Sequence, residues 1–215
     1  LRPRSHRYIV TDLLTEESVS ELCAEIADGP AIDVLVNNAG ISMFGLFTEA
    51  DDKEIQRSLQ LNLLVPMRLT KALMPLLLDS QQGAVINIGS GFGSIGFAGF
   101  SVYCASKFGL RGFTEALQRE YANTHLCVHY LAPRAVNTAM NSASIVAMND
   151  ELGNKVDEPE LVARAALDLL RCKKSLNRYL GWPERFFVSL NALFPSVVSC
   201  ALKKQLAVIL RYARN

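Results

Sequence analysis

Tyr103 and Lys107 lie four residues apart in the segment Tyr-Cys-Ala-Ser-Lys, and on a helix that spacing stacks a phenol and an ammonium on one face, one turn apart. A free tyrosine has a pKa of about 10, too high for efficient proton exchange near neutrality, whereas an adjacent cation favours the phenolate and draws the value toward the working range. Tyr103 is therefore a candidate general acid or base with Lys107 as its electrostatic partner. Alone, the pair is equally compatible with an ordinary surface contact. Ser90 gives it a chemical direction: it precedes Tyr103 by 13 residues and directly follows the run Ala-Val-Ile-Asn-Ile, so its hydroxyl could donate to a substrate oxygen at the end of a buried strand.

The elements that must position these groups alternate in period. Residues 7–13 read as a strand, Thr15 caps an acidic-start helix to about residue 27, and Ala-Ile-Asp-Val-Leu-Val-Asn-Asn-Ala-Gly is a buried strand ending in turn residues. A long helix over about 49–78 follows, then the strand before Ser90, a glycine-rich loop, and a helix over about 101–123 that carries Tyr103 and Lys107. A strand at His-Leu-Cys-Val-His-Tyr-Leu-Ala-Pro, an irregular loop near 136–156, a helix over about 158–172 and a short strand around 178–181 complete the series. Strands apolar on both faces and alternating with helices predict an α/β fold, a doubly wound parallel sheet of Rossmann-like type, with binding sites just beyond the strand ends. Residues 1–181 form that domain, and 182–215 are a helical C-terminal extension of the same domain or a packing arm.

Composition removes other classes. Half of the 215 residues are hydrophobic and 20% charged, so the chain can bury a sizeable core. A net charge of +1 with no dense basic run makes nucleic acid a poor partner. The five cysteines are odd in number, scattered and never in a Cys-x-x-Cys pair, which argues against a disulfide framework and a zinc site and fits a reducing, cytoplasmic setting. His6, His125 and His129 lack partners at ligand spacing, so no metal is expected. The first ten residues hold no apolar stretch of secretory-signal length.

With Asn37, Asn38, Ala39 and Gly40 after one strand, Asn62 in the long helix, Ser90, the Tyr103 and Lys107 pair, and Pro133-Arg-Ala-Val-Asn-Thr138 after another strand, the sequence resembles the short-chain dehydrogenase/reductase family over about residues 7–181. The resemblance implies hydride transfer between a nicotinamide, NAD or NADP with NADP taken first, and a carbonyl or secondary alcohol. Tyr103 would pass the proton, Ser90 would polarise the substrate oxygen, Lys107 would lower the phenol's pKa and hold the nicotinamide ribose, and Asn62 would hold a water linking the lysine to solvent. By the same carry-over Asp12 and Leu13 border the adenine, Asn38, Ala39 and Gly40 back the cofactor, and Pro133, Val136 and Thr138 lie at the nicotinamide end. Other roles remain open for three of these: Asn38 could bond neighbouring strand ends, Asn62 could face a backbone within its helix, and Thr138 could cap a helix.

The match has two departures. Family members open with a strand, a Thr-Gly-x-x-x-Gly-x-Gly turn and a helix that hold the pyrophosphate; the given residues begin at what would be the third strand, so a βαβ unit is expected upstream, supplied by another chain, or lost in a non-catalytic remnant. Without it, residues 7–13 have no partner and Ala-Ile-Asp-Val-Leu-Val offers an apolar edge. The Gly-x-Gly-x-x-Gly at Gly91, Gly93 and Gly96 does not replace it, because Phe-Ala-Gly-Phe follows where a helix should open. Second, Arg134 stands where the family usually has glycine.

The tail carries five Lys/Arg against one acid, while residues 1–181 carry 17 against 20. Its uncharged run of 17 residues, 186–202, is interrupted by Pro195 and is shorter than the ~20 residues a bilayer requires. It suits a helix on a membrane surface, a lid over a lipophilic substrate, or an arm on a second subunit. The family resemblance implies a homodimer or homotetramer. The alternative function is a non-enzymatic interaction or membrane-peripheral protein that keeps the scaffold.

Overall fold

The computed structural model describes residues 6–214. Four parallel strands, β1 (Val34–Asn37), β2 (Ala84–Ile88), β3 (Cys127–Ala132) and β4 (Asn177–Tyr179), pair in the order β1-β2-β3-β4. Each connection carries helix, as parallel pairing demands. The helix α1 (Glu16–Ala27) starts at Thr15, whose hydroxyl accepts from the Ser18 amide at 3.3 Å, with Glu16 and Glu17 beside the positive end of the helix dipole. The expected long helix is α2 (Asp52–Leu59), a π-helical turn (Gln60–Leu64) and α3 (Val65–Asp79) in succession. The helix α4 (Ser101–Glu120) carries the tyrosine and lysine, α5 (Ala143–Glu151) and α6 (Pro159–Leu170) follow β3, and α7 (Glu184–Leu193), α8 (Pro195–Lys203) and α9 (Leu206–Ala213) form the tail.

The sheet divides the core. On one face Val85 and Val128 pack with Met74, Leu77, Leu117 and Leu126, closed by α3 and α4. On the other, Ile86 and Leu131 meet Ala165 and Leu169 of α6 and Leu180. A third cluster, Phe100, Cys104, Ile145, Met148 and Ile209, joins the start of α4 to α5 and α9, so the last tail helix is seated in the body. Asp52–Asp79 is long and apolar enough to cross a membrane by length and composition, yet it packs against α1 and α4.

Two expectations are corrected. Residues 7–13 form no strand: Tyr8 is 90% and Val10 100% exposed. A β-favouring run gains little without a neighbouring ladder, and α1 holds this segment from the side, through the Arg7–Glu25 ion pair and a 3.4 Å hydrogen bond from the Thr11 hydroxyl to the Ser18 carbonyl. The loop at 136–156 is not irregular throughout, because Ser142 caps α5 by accepting from the Ile145 amide at 3.3 Å. What fixes that helix is burial of Ile145 and Met148 beside Ile209, some 60 residues away and outside the reach of local periodicity. The free side of β1 leaves Val36 46% exposed, the apolar edge anticipated above.

Candidate active site

The strand β2 ends at Ile88, and the next two residues build the floor of the site. Gly89 and Gly93 lie against the ring of Tyr130: a Cβ would fall 2.1 Å from that ring at Gly89 and 2.2 Å from its oxygen at Gly93. The Tyr130 hydroxyl accepts from the Ser90 amide and donates to the Ser90 carbonyl, both at 3.2 Å. The Ser90 side chain caps the turn Gly91–Gly93 by accepting from the Phe92 amide at 3.1 Å. The glycine-rich segment is thus a serine-positioning loop, consistent with its rejection as a dinucleotide fingerprint. Tyr130 was missed in the sequence because nothing local marks a strand tyrosine as a support for a loop 40 residues away.

Lys107, 5% exposed, donates to the Ile88 carbonyl at 3.0 Å, and its Nζ lies 5.7 Å from the centroid of the Tyr103 ring. Burial lowers its pKa from 10.5 to about 8, since removal from water disfavours the ammonium. The Tyr103 phenol is raised, first by burial, with a hydrogen bond from Ser90 opposing and Cys104 adding to the rise. The expected net depression by lysine does not prevail: burial holds the phenol above its usual value, and the Lys107 ammonium, itself lowered to about 8, is bound to a carbonyl instead.

Ser90, Tyr103 and Lys107 open into one cavity of about 930 Å³, whose wall also includes Asn38, Pro133, Val136 and Thr138. Asp12, Leu13, Ala39, Gly40 and Asn62 do not line it. Asp12 sits before α1, where its carboxylate accepts from the Leu14 amide at 2.9 Å. Asn62, fully buried in the π-helical turn, accepts from the Ile41 amide at 2.8 Å and donates to the Ile41 carbonyl at 2.9 Å and to the Ser106 hydroxyl at 3.1 Å. It pins the chain just after Gly40, where a Cβ would lie 2.9 Å from Asn62 Oδ1 and 3.6 Å from Lys107 Nζ. Asn62 therefore meets the lysine across a glycine rather than facing the cavity.

Arg134 holds the rim. It pairs with Asp157 and, at 3.5 Å, with Glu184 at the start of α7. Asp157 in turn receives the Asn137 amide on its carbonyl at 2.9 Å and bridges to Val136. One cation thereby ties the loop bearing Val136 and Thr138 to the tail. The arginine was visible as a departure from a pattern, but its acids lie 23 and 50 residues downstream, with no local spacing to announce them. The remaining wall is mostly apolar: Ile145 and Met148 from α5, Phe187 and Val188 from α7, and Val198 and Leu202 from α8.

The arrangement can place a neutral phenol and a hydroxyl at one oxygen inside an apolar enclosure, with a buried lysine of pKa about 8 behind the phenol. Comparison with known proteins matches residues 3–148 to the sequence model described as short chain dehydrogenase. Among curated proteins, Nodulation protein G of Rhizobium meliloti is 36% identical over 137 residues, covering 64% of this chain and 53% of that protein. The 3-oxoacyl-(acyl-carrier-protein) reductase FabG of Escherichia coli is 38% identical over 135 residues, 62% of this chain and 54% of its own. The ketoacyl reductase HetN of Nostoc is 35% identical over 165 residues, 75% and 56% respectively. The chain spans about half the length of these relatives. A solved short-chain dehydrogenase from Streptomyces avermitilis superposes with a TM-score of 0.74 at 28% identity, over 92% of this chain and 78% of that one. One from Sphingobium yanoikuyae, in complex with NADPH, gives 0.70 at 24% identity, over 88% and 73%, and shows the fold.

Proposed function

The chain belongs to the short-chain dehydrogenase family, and from that premise we propose that it is the reaction-side portion of an NAD(P)-dependent oxidoreductase acting on a lipophilic ketone or secondary alcohol. The observation that carries this reading is the convergence of Ser90, Tyr103 and Lys107 on one largely apolar cavity. In reduction the neutral phenol of Tyr103 donates its proton to the substrate oxygen while the Ser90 hydroxyl donates a hydrogen bond to the same atom; in oxidation Tyr103 takes the proton back. Charge developing on that oxygen meets preset donors, and the apolar wall strengthens them by excluding water. The phenolate left after donation draws on the Lys107 ammonium beside its ring, and a pKa of about 8 lets that lysine hold, give up and regain a proton near neutrality.

The residues at the nicotinamide end fit the cofactor: Asn38, Lys107, Pro133, Val136 and Thr138 share the cavity wall with the catalytic groups. The bound cofactor supplies or accepts the hydride. The adenine end does not fit, because Asp12 and Leu13 stand away from the cavity and Gly93, the middle glycine of the triplet, is packed against the Tyr130 oxygen and the Lys107 carbonyl. Tight dinucleotide binding is therefore assigned to the complete gene product, with NADP as the first cofactor to assay. We further assign a cytoplasmic location, from the odd, scattered cysteines, and a homodimer or homotetramer formed through α2–α3 and α4, whose Leu64, Met67 and Phe108 are 42%, 37% and 42% exposed.

The test is turnover of NADPH and NADH by the complete gene product with aliphatic and aromatic ketones, followed by nicotinamide absorbance. Tyr103→Phe should lower kcat by at least the ~100-fold typical of a lost acid–base group, with calorimetric cofactor affinity within about threefold of the parent. Retained turnover in that variant removes Tyr103 from the chemistry. Absence of nicotinamide binding by any form of the protein favours the non-catalytic alternative.

A further inference from the structure

We propose that the outer face of α7 and α8 is a docking surface for an anionic lipid bilayer. Five large apolar side chains of the tail are exposed, Trp182 just before α7, Phe186 and Leu193 on α7, Phe194 at the junction and Val197 on α8, at 70%, 49%, 73%, 57% and 55%. Isolated exposed apolar residues are ordinary, but a run of this size marks a contact surface. Arg185, Lys203 and Lys204 flank it, all exposed, and none has a carboxylate within 4.0 Å among the described residues. Tryptophan and phenylalanine beside unpaired cations are the pattern of a helix lying in a headgroup layer.

Length excludes a span, since α7 has 10 residues and α8 has 9, and a proline opens the second, against the ~20 residues a bilayer core requires. Symmetry argues against a second copy of the chain: a two-fold contact brings each patch against itself, which would oppose Arg185, Lys203 and Lys204 with the same three cations. An anionic surface neutralises them instead, and each basic residue near such a surface contributes about 1 kcal/mol.

The patch is continuous with the cavity. The rings of Trp182 and Phe186 lie 5.9 Å apart, and those of Phe186 and Phe187 lie 5.8 Å apart. Phe187 is also part of the cavity wall. The docked face is thus the outer side of the cavity's own roof, and a lipophilic compound dissolved in the bilayer would meet the enclosure through it. Docking itself needs neither cofactor nor turnover, so it stands or falls apart from the reaction assigned above.

Trp182 is the one tryptophan in this chain and reports insertion directly. The chain is titrated with large unilamellar vesicles of phosphatidylcholine alone and of phosphatidylcholine with phosphatidylglycerol. Expected are a blue shift of Trp182 emission and co-sedimentation with the anionic vesicles, both reversed by high salt. Arg185→Gln, Lys203→Gln and Lys204→Gln should each weaken binding about fivefold, and Phe186→Ser with Leu193→Ser should abolish the residual blue shift while far-UV circular dichroism is unchanged. Equal binding to both vesicle types, or no emission shift with either, overturns the proposal. So does light scattering in which the Phe186→Ser, Leu193→Ser variant turns a dimer into a monomer while vesicle binding is absent, because the face is then a subunit contact. Should those substitutions unfold the chain, the parent's salt dependence on anionic vesicles decides alone.

Discussion

Lys107 makes the site measurable through stability, because a lysine held at about 8 in the folded chain and 10.5 outside it charges the native state with a penalty that pH can switch off. The sign is fixed by proton counting. Between the two values the unfolded chain binds the proton and the folded chain does not, so stability rises with pH across that window. Below pH 8 both states are charged and the penalty is complete, about 3 kcal/mol for 2.5 units at 1.36 kcal/mol each. At pH 9.5 the folded lysine is almost all neutral and the unfolded one nine-tenths charged, which leaves roughly 1.4 kcal/mol. The lysine therefore returns about 2 kcal/mol to the native state between pH 7 and 9.5.

Lys107→Met isolates that contribution. Methionine fills the same channel with an apolar chain but leaves the Ile88 carbonyl unpaired, a cost of about 1–3 kcal/mol that does not depend on pH. Buried thiols and phenols also titrate at alkaline pH, and with raised values they lower stability as pH rises, but they are common to both proteins and cancel. Urea unfolding at pH 7, 8, 9 and 9.5 should show the parent gaining about 2 kcal/mol on the variant, equivalent to roughly 4–8 °C in relative Tm for a chain of this size. Parallel curves, with a difference constant to within about 0.5 kcal/mol, would refute a lysine perturbed by burial and with it the proton-holding role assigned to Lys107.

His129 gives the acid counterpart. It is fully buried, neither ring nitrogen has a partner among the described residues, and burial lowers its pKa from 6.5 to about 4. The unfolded chain binds the proton first, so acidification from pH 6.5 through 4 should remove up to about 3 kcal/mol, and His129→Leu should flatten that limb in urea melts. Gly93→Ala sets a Cβ 2.2 Å from the Tyr130 oxygen and 2.8 Å from the Lys107 carbonyl; overpacking of about 1–3 kcal/mol is expected, with turnover lost because the Tyr130 hold on Ser90 goes with it. Arg134→Ala leaves the Asp157 side chain, 5% exposed, without its cation, a loss of about 3–5 kcal/mol in a broken buried pair; Asp157→Asn in the same chain should recover a large part of it, as a double-mutant cycle would record.

What could be read in advance was whatever repeats locally or sits at a strand end. Helical spacing placed Tyr103 and Lys107 on α4 within one turn, and Thr15 marked the start of α1. The strand before Ser90 was legible from unbroken apolar character, and the loop between Ser90 and Tyr103 from its glycines. Long-range burial was not legible. Residues 7–13 carry every β-favouring mark and form no strand, since a strand exists only against a partner. The helix α5 has weak periodicity and depends on α9. Asn62 shows the same limit at the site: its type and position were noted, but only the three-dimensional arrangement reveals that its amide closes both ways on Ile41.

The same reasoning explains why the catalytic edge of the sheet holds its geometry although β1 is open to solvent on one side. Asn37 on β1 donates to Asn87 Oδ1 on β2 at 2.7 Å and to Thr70 Oγ1 of α3 at 3.1 Å, and Asn87 donates to Thr114 Oγ1 of α4 at 2.9 Å. All four side chains are buried, so a slip of one residue between β1 and β2 would strand several polar groups in the core, each at about 1–3 kcal/mol. Asn37 and Asn87 are paired in register, and the residue after each is a working position: Asn38 in the cavity wall and Ile88, whose carbonyl receives Lys107. The ladder thus fixes, in one set of bonds, the level of the cavity floor and the height at which α4 presents its lysine. Apolar packing holds that register less firmly, because β1 is short, with Val34 and Leu35 only partly buried and Val36 46% exposed. The buried amides make it single-valued, which is why a reaction-side wall can be complete although β1 has one strand neighbour among the described residues.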